Sequence, residues 1–276
     1  MTLEAFFQDY GDTLQYLAYF GLLAALCGLE AIVPQRREGA NRRHRWPANF
    51  ALTALNVVVL GALPLTGAGV ALLAQEQGWG LLRPLALPAA GVLAVTLGVR
   101  SLISYATHVA MHQVPILWRV HRVHHTDTML DVSTTVRFHP LEFVIQIVPT
   151  ALAILLVGLP AWSIAAYELV DTTMNLFIHA NVRLPAGVDA ILRLLFATPD
   201  LHRVHHSADV DETNSNYGVV LSLWDRLFHT YRARPAMGHD AMLLGLEGYR
   251  DSRTRSFGWL LMLPVDGGFT RPAHAV

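Results

Sequence analysis

Residues 108–125 read His-Val-Ala-Met-His-Gln-Val-Pro-Ile-Leu-Trp-Arg-Val-His-Arg-Val-His-His, and the closing pentad returns unchanged at 202–206. His108 and His112 stand four apart, while His121, His124 and His125, and again His202, His205 and His206, follow an HxxHH pattern. On a helix, positions i, i+3 and i+4 share a face, so each box is expected to aim two or three imidazoles at one point. Of the 14 histidines, eight fall in these three boxes, and His139 and His179 stand singly at the edges of apolar runs. Imidazole is a common ligand for iron, zinc, copper and nickel, and one ion takes about four to six ligands. Eight to ten imidazoles therefore call for two metal ions. Asp127, Asp131, Asp200 and Asp225 lie close by in sequence and are expected to hold ligand tautomers from behind. His44, His229, His239 and His274 lack such company and read as ordinary surface or core residues.

The boxes sit in an unusually apolar chain. Apolar residues make up 53%, charged residues only 15%, and mean hydropathy is +0.37, against about 25% charged in soluble domains. A bilayer crossing takes roughly 20 apolar residues. Candidate spans are 13–33; 47–74, with a break expected near Gly61 and Pro64; 85–106; and a pair at 141–159 and 161–180, joined by Gly158-Leu159-Pro160. The fold expected is mainly α: an integral-membrane helical bundle of about four to five membrane helices, the last pair either spanning or re-entrant. Arg36, Arg37, Arg42, Arg43 and Arg45 cluster between the first two spans, and the positive-inside rule puts that loop in the cytosol. Counting forward places 107–140 and everything after about 181 on the same side, with Arg119, Arg122, Arg137, Arg183, Arg193 and Arg203, while Arg83 faces the other. A cytosolic helical cap carrying the histidine boxes follows, in a bacterial inner membrane. Glu168, Asp171 and Asn175 interrupt an apolar run, and such groups usually face a cavity or a partner. The expected organisation is N-terminal membrane helices over 1–100, a catalytic domain over 101–232, and a tail over 233–276. The tail's short apolar run at 257–265 would pack on the cap or the membrane interface.

Several function classes drop out. The single Cys27 excludes an internal disulfide, a cysteine zinc site and an iron–sulfur cluster. Net charge is -1, so nothing pulls the chain towards nucleic acid. Glu4, Asp9 and Asp12 precede the first apolar run, where a signal peptide would carry positive charge. There is no HExxH, no Glu-x-x-His pair and no Gly-x-Gly-x-x-Gly after a strand. His139-Pro140 lacks the glycines of a cytochrome b5 haem motif, so a redox enzyme of this design needs an external electron donor. The residues alone leave three readings open: an oxidoreductase, a zinc- or nickel-dependent membrane hydrolase, and a non-enzymatic metal-binding membrane protein.

From 105 to 231 the chain resembles the fatty acid hydroxylase/sterol desaturase superfamily of membrane-bound non-haem di-iron enzymes. The resemblance rests on Tyr105-Ala-Thr-His108-Val-Ala-Met-His112, Leu117-Trp118-Arg119-Val-His121-Arg-Val-His124-His125, Arg137-Phe138-His139-Pro140-Leu141-Glu142, and Asn175-Leu-Phe-Ile-His179-Ala-Asn181. It continues through Thr198-Pro199-Asp200-Leu-His202-Arg-Val-His205-His206, Asn216-Tyr217-Gly218 and Leu223-Trp224-Asp225-Arg226-Leu227-Phe228, with Gly245-Leu246-Glu247 in the tail. The chain departs from the family pattern in three places. Val109 stands where Arg is usual, Ser101 and Ser104 occupy a stretch that usually holds an acidic residue, and His229 stands where Gly is common. The resemblance implies two iron ions, dioxygen as co-substrate, and hydroxylation or desaturation of a C–H bond in a fatty-acyl, sterol or related lipid. A ferredoxin or cytochrome b5-like protein would supply electrons. It implies His108, His112, His121, His124, His125, His202, His205 and His206 as ligands, His179 as a ninth, and His139 or Asn175 as a tenth. Zinc could substitute for iron.

Overall fold

The computed structural model describes residues 1–37, 42–63 and 66–267. Pro64 and His274 lie outside the described residues. In chain order the helices are α1 (Leu3–Ile32), α2 (Arg42–Ala62), α3 (Gly67–Gln77), α4 (Ala89–Gln113), α5 (Pro115–His125), α6 (Pro140–Val157) and α7 (Ala161–His179). Shorter helices follow: α8 (Ala186–Leu192), α9 (Pro199–His205), α10 (Val210–Thr213), α11 (Leu223–Leu227), α12 (Gly238–Ala241) and α13 (Phe257–Met262). Among the described residues, β-pairing is confined to isolated bridges.

Four stretches are long and apolar enough to cross a membrane: Leu3–Ile32, Arg42–Gln77, Ala89–Gln113 and Pro140–Val157. Only 11–19% of each apolar window is buried inside the molecule. On α6 the exposed Leu141, Val144, Val148, Leu152 and Leu156 form one stripe at helical spacing. An exposed apolar stripe of this length is costly in water and ordinary in lipid; the protein is a membrane protein. α1 begins at Leu3, ten residues before the expected span, because Glu4 and the Thr2 side chain satisfy its N-terminus: Thr2 Oγ1 accepts from Ala5 N–H at 3.2 Å. The expected break in the second span appears as the end of α2 at Ala62 and the start of α3 at Gly67, capped by Thr66.

α7 is the fifth helix expected, and it falls outside the four apolar stretches. It carries Glu168, Asp171 and Asn175 and is enclosed by α1, α3 and α4. Its turn from α6 packs on the α3–α4 linker. Gly158 (φ 77°) meets Gly80 (φ 119°) so closely that a Cβ on Gly80 would fall 2.2 Å from the Gly158 Cα. Leu81 and Leu82 N–H donate to the Leu156 and Val157 carbonyls at 3.0 and 2.9 Å. The α6–α7 turn thus reaches as deep as the α3–α4 linker.

At the opposite end, the ends of α1, α4 and α7 and the starts of α2 and α6 gather under the cap. Glu30 Oε1, at the end of α1, accepts from Val132 and Asn181 N–H, both at 2.8 Å. The tail closes over α5 and α2: Leu246, Tyr249, Leu260 and Leu263 pack with Ala48, Leu52, Trp118 and Val123. Arg45, Arg122, Arg137 and Arg203 are fully buried here. They build the cap rather than face lipid headgroups, so the arginine asymmetry rests on exposed or half-exposed residues such as Arg36, Arg37, Arg43 and Arg183.

Candidate metal centre

Nine histidines converge in two adjacent groups. His108, His112, His121, His125 and His205 form one, and His124, His179, His202 and His206 the other; within each, the ligand atoms lie within 4.8 Å of one another. α4 supplies His108 and His112, α5 the second box, the end of α7 His179, and α9 the third box. The groups abut, with His125 stacked on His206 at 4.6 Å between ring centroids.

Each HxxHH box divides between the groups instead of aiming at one point. His121 and His125 face one centre and His124 the other; His202 and His206 face the second centre and His205 the first. The reason is helical geometry. At 3.6 residues per turn, positions i and i+4 are about 40° apart, whereas consecutive residues diverge by about 100°.

The atoms fit metal. His121 Nε2 lies 3.1 Å from the Nε2 atoms of both His108 and His125. His179 Nε2 lies 3.1 Å from that of His124 and 3.0 Å from that of His202, and His202 Nε2 lies 3.2 Å from that of His206. Two nitrogens about 2.1 Å from one ion and about 90° apart would stand about 3.0 Å from each other. The opposite ring nitrogens are held where they can be: the Nδ1–H of His108 donates to the Tyr217 carbonyl at 2.7 Å, of His179 to Asn175 at 2.7 Å, and of His205 to Ser215 at 2.8 Å. His121 Nδ1–H donates to Glu142 Oε1 at 2.9 Å. These bonds fix the tautomer that turns Nε2 inward. Burial first, and then the neighbouring imidazoles, push His124, His125, His202 and His206 well below the ordinary histidine range. Neutral rings leave their lone pairs free for a cation.

The remaining candidates sit elsewhere. His139 lies outside both groups and caps α6: its Nδ1 accepts from Leu141 N–H at 3.2 Å and its Nε2 faces the Leu261 carbonyl at 3.3 Å. Asn175 turns its amide to Asp171 at 3.1 Å and offers His179 its backbone carbonyl. Asp127 and Asp131 meet Arg45, with Asp127 gripped at 2.5 and 2.9 Å and Asp131 at 3.0 Å. Burial raises the Asp127 carboxyl, but the charges of Arg45 and Arg137 outweigh it and hold it at about 2. Asp200 pairs with Arg203 at 3.2 Å. Asp225 works at one remove: its carboxylate accepts from Tyr217 N–H at 2.7 Å and Gly218 N–H at 2.9 Å, shaping the turn whose carbonyl holds His108. Burial pushes Asp225 up to about 6. None of these four carboxylates has a hydrogen bond to a ligand ring among the described residues. The carboxylate that does is Glu142, which sequence reading left without a role; its position at the cap end of α6 was the available signal.

Two of the departing residues, Ser101 and His229, have local explanations. Ser101 Oγ accepts from Trp224 Nε1 at 3.0 Å. His229 adopts φ 61°, a left-handed conformation that glycine takes without strain.

A cavity of about 360 Å³ opens beneath the groups. His108, His121, His124, His179 and His202 line its inner end; Phe143, Leu176, Val57 and Leu60 line its walls. Val57 and Leu60 are exposed on the outer face of α2.

A profile of the fatty acid hydroxylase family matches residues 93–230, half of the 276-residue chain. The chain belongs to the fatty acid hydroxylase family. All nine converging histidines fall inside the matched region. This family member is 36% identical over 131 residues to an ornithine lipid hydroxylase of Rhizobium tropici, covering 48% of the present chain and 39% of that protein. It is 31% identical over 143 residues to an alkylglycerol monooxygenase of Danio rerio, covering 51% and 30%. It is 26% identical over 152 residues to a very-long-chain aldehyde decarbonylase of Oryza sativa subsp. indica, covering 52% and 24%. The matches span well under half the length of these relatives. No solved structure matches the chain significantly.

Proposed function

We propose that this chain is an oxygen-dependent di-iron oxidoreductase that hydroxylates or desaturates a membrane lipid. The observation that carries the reading is the pairing of five- and four-imidazole groups over a cavity lined by apolar side chains interspersed with Thr, Asn and Gln, whose Val57 and Leu60 are exposed on the apolar helix α2. The names of the relatives support it: two are a hydroxylase and a monooxygenase of lipids. Two irons held by the nine histidines would supply dioxygen activation for attack on an unactivated C–H bond.

The chain's own residues do the rest. Glu142 and the Tyr217, Asn175 and Ser215 carbonyls keep the ligand rings in one tautomer. Phe138 stacks on His124 at 4.4 Å and, with Phe143 and Leu176, gives an acyl chain a dry wall. Val57 and Leu60 provide entry from lipid. A ferredoxin or cytochrome b5-like donor docking on the cap would supply the electrons. The region over 101–232 is the catalytic domain, with membrane helices over 1–100 and the tail over 233–276. The boxes lie on the cytosolic side of a bacterial inner membrane.

The test is lipidomics of cells expressing wild type against His202→Ala, which leaves three imidazoles in its group, with metal analysis of both proteins. Two irons per wild-type chain, and an oxygenated or unsaturated lipid that needs dioxygen and reductant, are expected. Zinc alone, with turnover that needs neither, would replace this reading by a hydrolase.

A further inference from the structure

The cap does not stop at the end of α4. Trp224, on α11, donates its Nε1–H to Ser101 at the midpoint of α4, and Phe228 stacks on Tyr105 with centroids 5.4 Å apart. α4 is one of the four stretches able to cross a membrane. At 1.5 Å per residue, Ser101 lies about 10 Å along α4 below His108, within the stretch 85–106 expected to span, so α11 stands beside the upper part of that span. α8 travels with it: Ser222 N–H donates to the Leu195 carbonyl at 2.9 Å, Arg226 to the Arg193 carbonyl at 2.8 Å, and Phe196 bridges Leu221.

The outward face of this unit is apolar. On and after α8, Val188, Ile191, Leu194 and Leu195 are exposed, Ile191 by 71%. Leu223, Leu227 and Phe228 continue the face from α11. The acids within it, Asp189 and Asp225, are buried, and Asp189 is paired with Arg193. Arginines lie in the adjoining segments instead: Arg183 and Arg234 are exposed and Arg232 is half-buried, with Arg183 3.6 Å from Asp240 and Arg232 3.6 Å from Glu212. An apolar face edged by arginine and backed by aromatic residues is the pattern of an element lying in the headgroup–acyl boundary.

We propose that α8 and α11 form a leaflet-embedded platform, a second membrane contact continuous with the lipid-facing side of α4. The occupant is lipid: acyl chains against the apolar face and anionic headgroups at the arginine margin. The inference stands apart from the enzymatic reading, since it rests on exposure and depth alone. It also draws part of the segment after 181 into the bilayer, where span counting had placed it wholly in the cytosol.

The test uses the full chain with Cys27→Ala, carrying Ile191→Cys or Leu227→Cys labelled with bimane, in nanodiscs of zwitterionic and anionic lipid. Val58→Cys, on the exposed apolar face of α2, is the lipid control, and Asp251→Cys the aqueous one. The melting temperature of each protein controls for folding. Lipids brominated on the acyl chain should quench positions 191 and 227 as they quench 58, removing about half or more of the emission, as expected for acyl-level insertion. Iodide should quench only position 251. Iodide quenching at 191 and 227 without bromolipid quenching overturns the proposal. Protection from both quenchers also overturns it, because a protein partner or a second copy would then cover the face.

Discussion

His124 and His125 are neighbours in the chain and face different metal groups, His124 with His179, His202 and His206, His125 with His108, His112, His121 and His205. Their rings stand at 90° to each other. The third box repeats the arrangement with His205 and His206, so each HxxHH box contributes to both groups, while His108 and His112 stay in one. Five imidazoles serve one centre and four the other.

That inequality gives the first prediction. His125→Ala leaves four imidazoles in its group, a full complement for a tetrahedral ion, whereas His124→Ala leaves three. Metal analysis after mild chelation should find close to wild-type content in the first variant and a fall to about half in the second. Equal losses from both would show that the groups do not bind independently.

Glu142 is the one carboxylate bonded to a ligand ring among the described residues. Glu142→Ala should weaken retention of the ion at the His121 group by about 10–100-fold in chelator competition. Glu142→Gln keeps an acceptor for the Nδ1–H and should recover most of that loss. Unchanged affinity in the alanine variant would remove Glu142 from the site.

Arg45 joins α2 to the loop after the second box through Asp127 and Asp131, all three side chains at 2% exposure or less. Arg45→Ala would leave two buried carboxylates without that cation, at a cost of about 3–5 kcal/mol. A melting temperature lowered by several degrees in detergent or nanodiscs is the readout, with metal content lost on the same transition.

Leu60 lines the outer part of the cavity and is 38% exposed on α2. Leu60→Trp should narrow the lipid entrance without disturbing the histidines. Turnover should fall about tenfold or more, as a misfit of ~1–3 kcal/mol implies, with metal content unchanged. Full activity on a long-chain substrate would place the entrance elsewhere.

Much of this was legible in one dimension. Composition and run length identify the membrane helices, because a span must be continuous and apolar to be recognised. The positions of α1, α2, α4 and α6 follow from that. α7 was harder to read: its polar residues are satisfied by being enclosed, which is a property of its neighbours. The acidic residues near the boxes misled as to tautomer control because proximity in sequence carries no direction. Asp127 and Asp131 turn to Arg45, while Glu142 comes in from the next helix.

The sequence by itself singled out the histidines that gather, three boxes and His179, in a chain with 53% apolar and only 15% charged residues. Spacing at i, i+3 and i+4 places imidazoles on neighbouring helical faces whatever surrounds them. Only the tertiary structure decided how they divide. Four helices from distant parts of the chain must meet before His108 can reach His121 and His205, or His124 reach His179. The 100° turn between consecutive helical residues then sends His124 and His125 to opposite centres.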